Sequence, residues 1–300
     1  MSLKIVKSSD VITVDRLNVV LYAPPGIGKT SLSFTADAPL LLDFDQGAHR
    51  AANRKDIVRV QGWNDVVNIT AEDLEPYNTV IADTAGRALD VLSADIIRRD
   101  PKKGKGGALT LQGFGTLKAE FVAWLKHING LGKDVILIAH MDEQRSGDEI
   151  IERLDVQGGS KGEIYKAADA MGRISIINGK RMLLFSPTDA SFGKNPGQLD
   201  PLEIPHKDAP EFDGFFARVM AQIKAKLNEM SEEQREAQAL LEKWRTSLAD
   251  VEDAAGINAM VADAKEGPRA VKALLHDRAT KLGLQFDDKA GEYAKQAEAA

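Results

Sequence analysis

The sequence predicts an α/β protein built on a central, mainly parallel sheet, with a small α-helical module at its C-terminal end. From Arg16 to about Pro205, short apolar or β-branched runs alternate with amphipathic stretches. That alternation is the pattern of strands buried on both faces and joined by helices. Past a stretch punctuated by Pro196, Pro201, Pro205 and Pro210, helical spacing takes over. The formal net charge is −6, with the acidic excess mainly in the last hundred residues, so no global basic field is present. The absence of cysteine removes disulfides, thiolate zinc sites and cysteine nucleophiles. No apolar run approaches a membrane span and the opening MSLKIVKSSD lacks a signal-peptide core, so a cytoplasmic protein is expected.

Taken in order, the expected strands are 18–22, 40–43, 57–60, 79–82, 135–139, 173–177 and 180–186, and the expected core helices are 30–36, 85–99 and 117–131. The last of these places Phe121, Trp124, Leu125 and Ile128 on one face. Asn178-Gly179 between two apolar runs is a type I′ hairpin signal, which predicts an antiparallel edge. Residues 1–204 are expected to form the core domain, 205–230 a linker and connecting helix, and 231–300 the helical module. Helices are expected near 216–230 in the connecting segment and near 232–248, 258–264 and 269–282 in the module. Ser231 with Gln234 reads as a capping box opening the second.

The sharpest signal is Ala23-Pro24-Pro25-Gly26-Ile27-Gly28-Lys29-Thr30, with Ser31 next, between a strand and a helical stretch. Such a loop turns backbone amides inward onto phosphate oxygens. Its lysine supplies a cation to the β- and γ-phosphates and its threonine hydroxyl is placed to ligate Mg²⁺. ATP with Mg²⁺ is therefore the expected ligand set. A second metal carboxylate is expected at the end of a neighbouring parallel strand, where Asp83 closes Val80-Ile81-Ala82 and also suits the cap of the next helix. Leu40-Leu41-Leu42 ends in Asp43-Phe44-Asp45. Alternation puts both carboxylates on one side, and Asp45 is favoured to orient the attacking water. His140 follows Ile136-Leu137-Ile138-Ala139 at the carboxyl end of the sheet, where it is placed to sense the γ-phosphate.

These landmarks, 23–30, 40–47, 80–84 and 136–140, resemble those of RecA-like recombinase ATPases. The nearest likeness is to the phage-encoded group reduced to a RecA core, which includes single-strand-annealing and RadA-like recombination proteins. The resemblance implies that Asp45 is the catalytic base and that His140 couples nucleotide state to DNA. It further implies an oligomer binding single-stranded DNA through two loops. The first candidate loop carries Arg98, Arg99, Lys102, Lys103 and Lys105 among flexible glycines; the second, 142–163, carries Arg145, Lys161 and Gln157-Gly158-Gly159 among opposing acids. Lys194, in Gly193-Lys194-Asn195-Pro196-Gly197, falls where a neighbouring subunit's cation would be supplied, although the pattern's arginine is Pro196 here. The acidic module is expected to bind a partner, such as a single-strand-binding or replication protein, rather than DNA. The resulting expectation is a DNA-stimulated ATPase of recombination or annealing. A replication-associated motor or helicase loader is the alternative, and a small-molecule P-loop kinase is a third reading.

Overall fold

The computed structural model describes residues 13–146, 149–156, 160–287 and 290–295. Two compact units result, residues 14–228 and, among the rest, 229 onward.

The larger unit is organised by one sheet. Its parallel strands are β1 (Asn18–Ala23), β2 (Pro39–Asp43), β3 (Asp56–Arg59), β4 (Thr79–Asp83), β7 (Asp134–Ser146) and β9 (Ala170–Ile177). A minor hairpin, β5 (Gly104–Lys105) and β6 (Ala108–Leu109), lies outside this sheet. The order runs β3, β2, β4, β7, β1, β9, and then antiparallel through β10 (Lys180–Leu184) to β11 (Leu202–Glu203). This is an α/β core on a mainly parallel sheet with an antiparallel edge. The central strands β1, β2 and β4 are buried almost throughout because helices cover both faces, which is why they read as continuous apolar runs. The strand carrying Asp83 is not the neighbour of β1, as the sequence had suggested: β7 lies between them, so the carboxylate meets the loop across one intervening strand.

The Asn178-Gly179 hairpin forms as expected, with positive φ at both residues (52° and 76°), the geometry a type I′ turn demands. Helix α2 (Ala85–Arg99) matches its expected span, and α3 starts earlier, at Leu111, and runs to Gly130. The α3 face holding Phe121, Trp124, Leu125 and Ile128 is buried, and Trp124 donates its indole N–H to the Val66 carbonyl at 3.0 Å. Two of the unforeseen elements follow the last central strand before β9. β7 continues past the sheet and folds back as β8 (Glu149–Leu154), and α4 (Ser160–Ala167) follows.

The segment expected as a linker is instead part of the core. Ile204, Phe212, Phe216, Val219, Met220 and Ile223 are buried beside Leu21, Leu32 and Phe34. Its prolines stop regular structure without loosening packing, because apolar side chains flank them. Nor does Ser231 open a new helix: α5 runs unbroken from Phe215 to Ala249. Ser-Glu-Glu-Gln-Arg-Glu contains neither Gly nor Pro, so nothing there stops a helix already in progress.

The smaller unit holds α6 (Ala254–Ala259), α7 (Val261–Glu266), α8 (Arg269–Lys281) and the hairpin β12 (Leu284–Asp287) with β13 (Glu292–Lys295). Ile257, Val271, Leu275 and Leu284 centre its core, with Trp244 packed against them. The hairpin adds strand structure where helical spacing alone was expected. Among the described residues no helix is long and apolar enough to cross a membrane.

Candidate functional site

The carboxyl ends of β1, β7, β4 and β2 converge on a cleft of about 470 Å³, and each end delivers a functional side chain. At the end of β1 the chain turns through Pro24–Gly28 into α1 (Lys29–Ser33). Gly28 sits at φ +97°, a backbone conformation that calls for glycine, and a Cβ there would lie 2.9 Å from Nη1 of Arg181. Helix α1 is shorter than the 30–36 expected. It ends where Thr35 bonds Leu32 and receives the amides of Phe216 and Ala217. So short a helix contributes little dipole, and the loop's own amides are the main anion donors.

Lys29 is buried, and its ammonium donates to the carbonyls of Ala23 and Pro24 at 2.9 Å each. Nδ1 of His140 lies 3.4 Å away. Burial pulls the Lys29 pKa down to about 8, with Asp83 and Asp45 opposing the shift. The Thr30 hydroxyl donates to Oδ2 of Asp83 at 2.7 Å. Asp83 is likewise buried, and desolvation raises its pKa to about 6 despite the Thr30 hydrogen bond. A hydroxyl and a buried, under-compensated carboxylate side by side are hard oxygen donors that suit Mg²⁺. The capping role lies one residue later, where the Thr84 hydroxyl accepts the Arg87 amide.

His140 stands opposite Ala23 in the β1–β7 register. Burial first, and then the Lys29 charge, lower its pKa, which favours the neutral ring. Asp43 and Asp45 part company because the strand, and with it the alternation, ends at Asp43. Asp43 is buried and accepts the amides of Gly47 (3.0 Å) and Ala48 (3.2 Å), fixing the turn. Asp45 lines the cleft with Nε of Arg87 3.5 Å away. Thus Lys29, Thr30, Asp45, Asp83 and His140 are brought together. Ser31 joins them at the wall and accepts the amide of Ala52 at 3.0 Å.

The remaining expected residues lie elsewhere. Arg98 and Arg99 both pair with Asp95, and Arg99 also with Glu120, so neither guanidinium is free as the basic loop had suggested. Lys102 and Lys105 are exposed, and Lys103 is 3.9 Å from Asp100. Arg145 ends up on β7 and Lys161 on α4, with their side chains outside what is described; Gln157-Gly158-Gly159 lies outside the described residues. Lys194 donates to the carbonyls of Tyr165 and Ala168 at 2.6 Å each. A cation on the unpaired carbonyls ending α4 is a structural cap within its own chain, not a cation held out to a neighbour. Sequence reasoning missed Arg50, Arg87 and Asp155. Arg50 lines the same cleft, and the other two line an adjoining one shared with Asp45 and His140. Only Arg87, one turn into the helix that follows Asp83-Thr84, had a position that hinted at its place.

Residues 15–196 match the family described as AAA domain. The chain belongs to that family. It is accordingly a P-loop ATPase-type protein, and the matched span contains every residue of the cleft named above. No curated protein matches it. Among solved structures, it is similar to the KaiC-like protein PH0186 from the hyperthermophilic archaeon Pyrococcus horikoshii OT3. The identity is 11% and the TM-score 0.31, over 56% of this chain and 77% of that one. So distant a likeness carries no argument about function.

Proposed function

We propose that this protein is a Mg²⁺-dependent ATPase that works on single-stranded DNA, in recombination or annealing, as an oligomer. The observation that carries the ATPase part is the convergence of Lys29, Thr30, Asp83 and Asp45 on one cleft beside the Pro24–Gly28 loop. Lys29 binds the phosphate chain, and its present bonds to loop carbonyls are the ones it exchanges for phosphate oxygens. Thr30 and Asp83 would hold Mg²⁺, which when bound neutralises phosphate charge. Asp45 orients the attacking water. His140, neutral and within reach of Lys29, reports phosphate occupancy to β7 and hence to the β7–β8 hairpin.

DNA as the second ligand is supported by the exposed lysines at 102 and 105 and by the resemblance of the ordered landmarks to RecA-core recombination proteins. The test is ATP turnover by the full chain with Mg²⁺, with and without single-stranded DNA, alongside a sizing measurement. Turnover stimulated by DNA supports the reading. Turnover stimulated only by a replication protein points to a motor or loader, and phosphate transfer to a metabolite without DNA dependence points to a kinase.

A further inference from the structure

The cations that the sequence or the structure offers to the site differ in how far they are committed. Lys194 is held by two carbonyls, Arg181 by the carbonyls of Ile27 and Pro205, and Arg87 by Asp45 and Asp90. Arg50, in the short 3₁₀ turn Ala48–Arg50 after the Asp43–Asp45 bend, is exposed and lines the cleft with Lys29 and Thr30. Among the described residues, no hydrogen bond or ion pair engages its guanidinium.

The end of this side chain lies over the backbone of Gly47. A Cβ at Gly47 would lie 2.5 Å from Nη2 of Arg50 and 3.5 Å from Oδ2 of Asp45. The guanidinium therefore fills the space a side chain at 47 would need, next to the carboxylate assigned to the water. The turn is tied at both ends. The Gly47 amide is held by Asp43 and the Arg50 amide by the Gly47 carbonyl, while the Ala52 amide is held by Ser31 of α1. Arg50 is thus fixed at its root to both β2 and the phosphate loop, with its charge left over.

We propose that Arg50 binds the terminal phosphoryl group of the triphosphate in cis, from the same subunit as Lys29. This rests on the ATPase reading above. Charge in phosphoryl transfer spreads over the equatorial oxygens, and a planar guanidinium can bridge two of them, which an ammonium cannot do with the same geometry. With no ion pair to break, Arg50 gives up only side-chain freedom in turning toward the phosphate. It also supplies from within the chain the cation that Lys194, capping α4, does not.

The test uses the full chain and compares wild type with Arg50→Ala and Arg50→Lys. Expected for Arg50→Ala are an unchanged circular dichroism spectrum, ADP affinity within about twofold of wild type, and a kcat lower by about 10³-fold or more. Trapping of ADP with aluminium fluoride should be lost, and Arg50→Lys should recover only a minor part of the rate. Mixing Arg50→Ala with Lys29→Ala separates cis from trans. Two inactive chains stay inactive if Arg50 serves its own site, whereas recovered turnover overturns the cis assignment. Equal losses of ATP and ADP affinity would place Arg50 on the inner phosphates and overturn the terminal one. Wild-type turnover that survives Arg50→Ala defeats this proposal alone, while a wild-type chain that binds no nucleotide defeats the ATPase reading and this proposal with it.

Discussion

At the scale of single residues, the cleft separates binding from turnover. Lys29→Ala removes the cation that faces the phosphate chain, so nucleotide affinity should fall by at least tenfold, as titration with a fluorescent ATP analogue would register. Asp45→Asn keeps that cation and should bind ATP normally while losing turnover; a variant that hydrolyses at the wild-type rate removes Asp45 from the role of base. Asp83 gives a prediction in pH. Its folded pKa, about 6, lies above the ordinary 3.8 because burial disfavours the carboxylate, so the ionised form costs stability. In the metal-free protein, this group's contribution should therefore be fully present below about 4 and be lost as pH rises through 6. Asp83→Asn should then stabilise the metal-free chain at pH 8, by on the order of 1–3 kcal/mol in chemical denaturation. The same change should abolish the extra stabilisation by ATP that needs Mg²⁺. Much of this site was legible in the sequence because a phosphate loop is contiguous, and Asp83 and Asp45 sit at strand ends that apolar runs mark. Arg50 was not, since a cation on an irregular turn has no period, and only the space over Gly47 reveals where it points.

At the scale of elements, the strands and the α2 and α3 helices could be read because their burial writes itself into the apolar pattern. What escaped were pieces whose placement depends on distant partners. The 205–230 segment reads as a linker and connecting helix, yet Phe212 and Phe216 are buried in the core beside Phe34. Phe216→Ala should therefore cost about 3–5 kcal/mol in unfolding free energy, as a core truncation does and a linker substitution does not. Lys194 was misjudged for a related reason: a Gly-Lys-Asn-Pro-Gly turn signals a loop, but nothing local shows that α4 ends beside it. Lys194→Met should lower stability by roughly 1–3 kcal/mol through loss of charged hydrogen bonds to Tyr165 and Ala168. Turnover per folded chain should stay near the wild-type level. A loss of turnover that mixing with Lys29→Ala restores would return Lys194 to a role between subunits.

At the scale of the whole molecule, the proposed DNA contact has to overcome a net charge of −6. Long-range attraction is unavailable, so any DNA contact must be local and strongly screened by salt. The structure narrows where the charge comes from. Arg98 and Arg99 are neutralised by Asp95 and Glu120, which leaves Lys102, Lys103 and Lys105 as the free part of the basic loop, with Asp100 weakly competing for Lys103. Each lysine that neutralises one phosphate of a single strand contributes about 0.7 to the slope of log affinity against log salt. Replacing all three with glutamine should therefore flatten that slope by about two and weaken binding nearly equally for every sequence tested. ATP turnover without DNA should stay at the wild-type level, because none of the three lines the nucleotide cleft. Changing Arg98 and Arg99 instead should leave the slope in place and reduce stability, because the buried Asp95 carboxylate loses both its partners. If the lysine replacements leave the slope as it was, the strand runs elsewhere on the protein, and the β7–β8 hairpin that His140 leads into becomes the surface to substitute next.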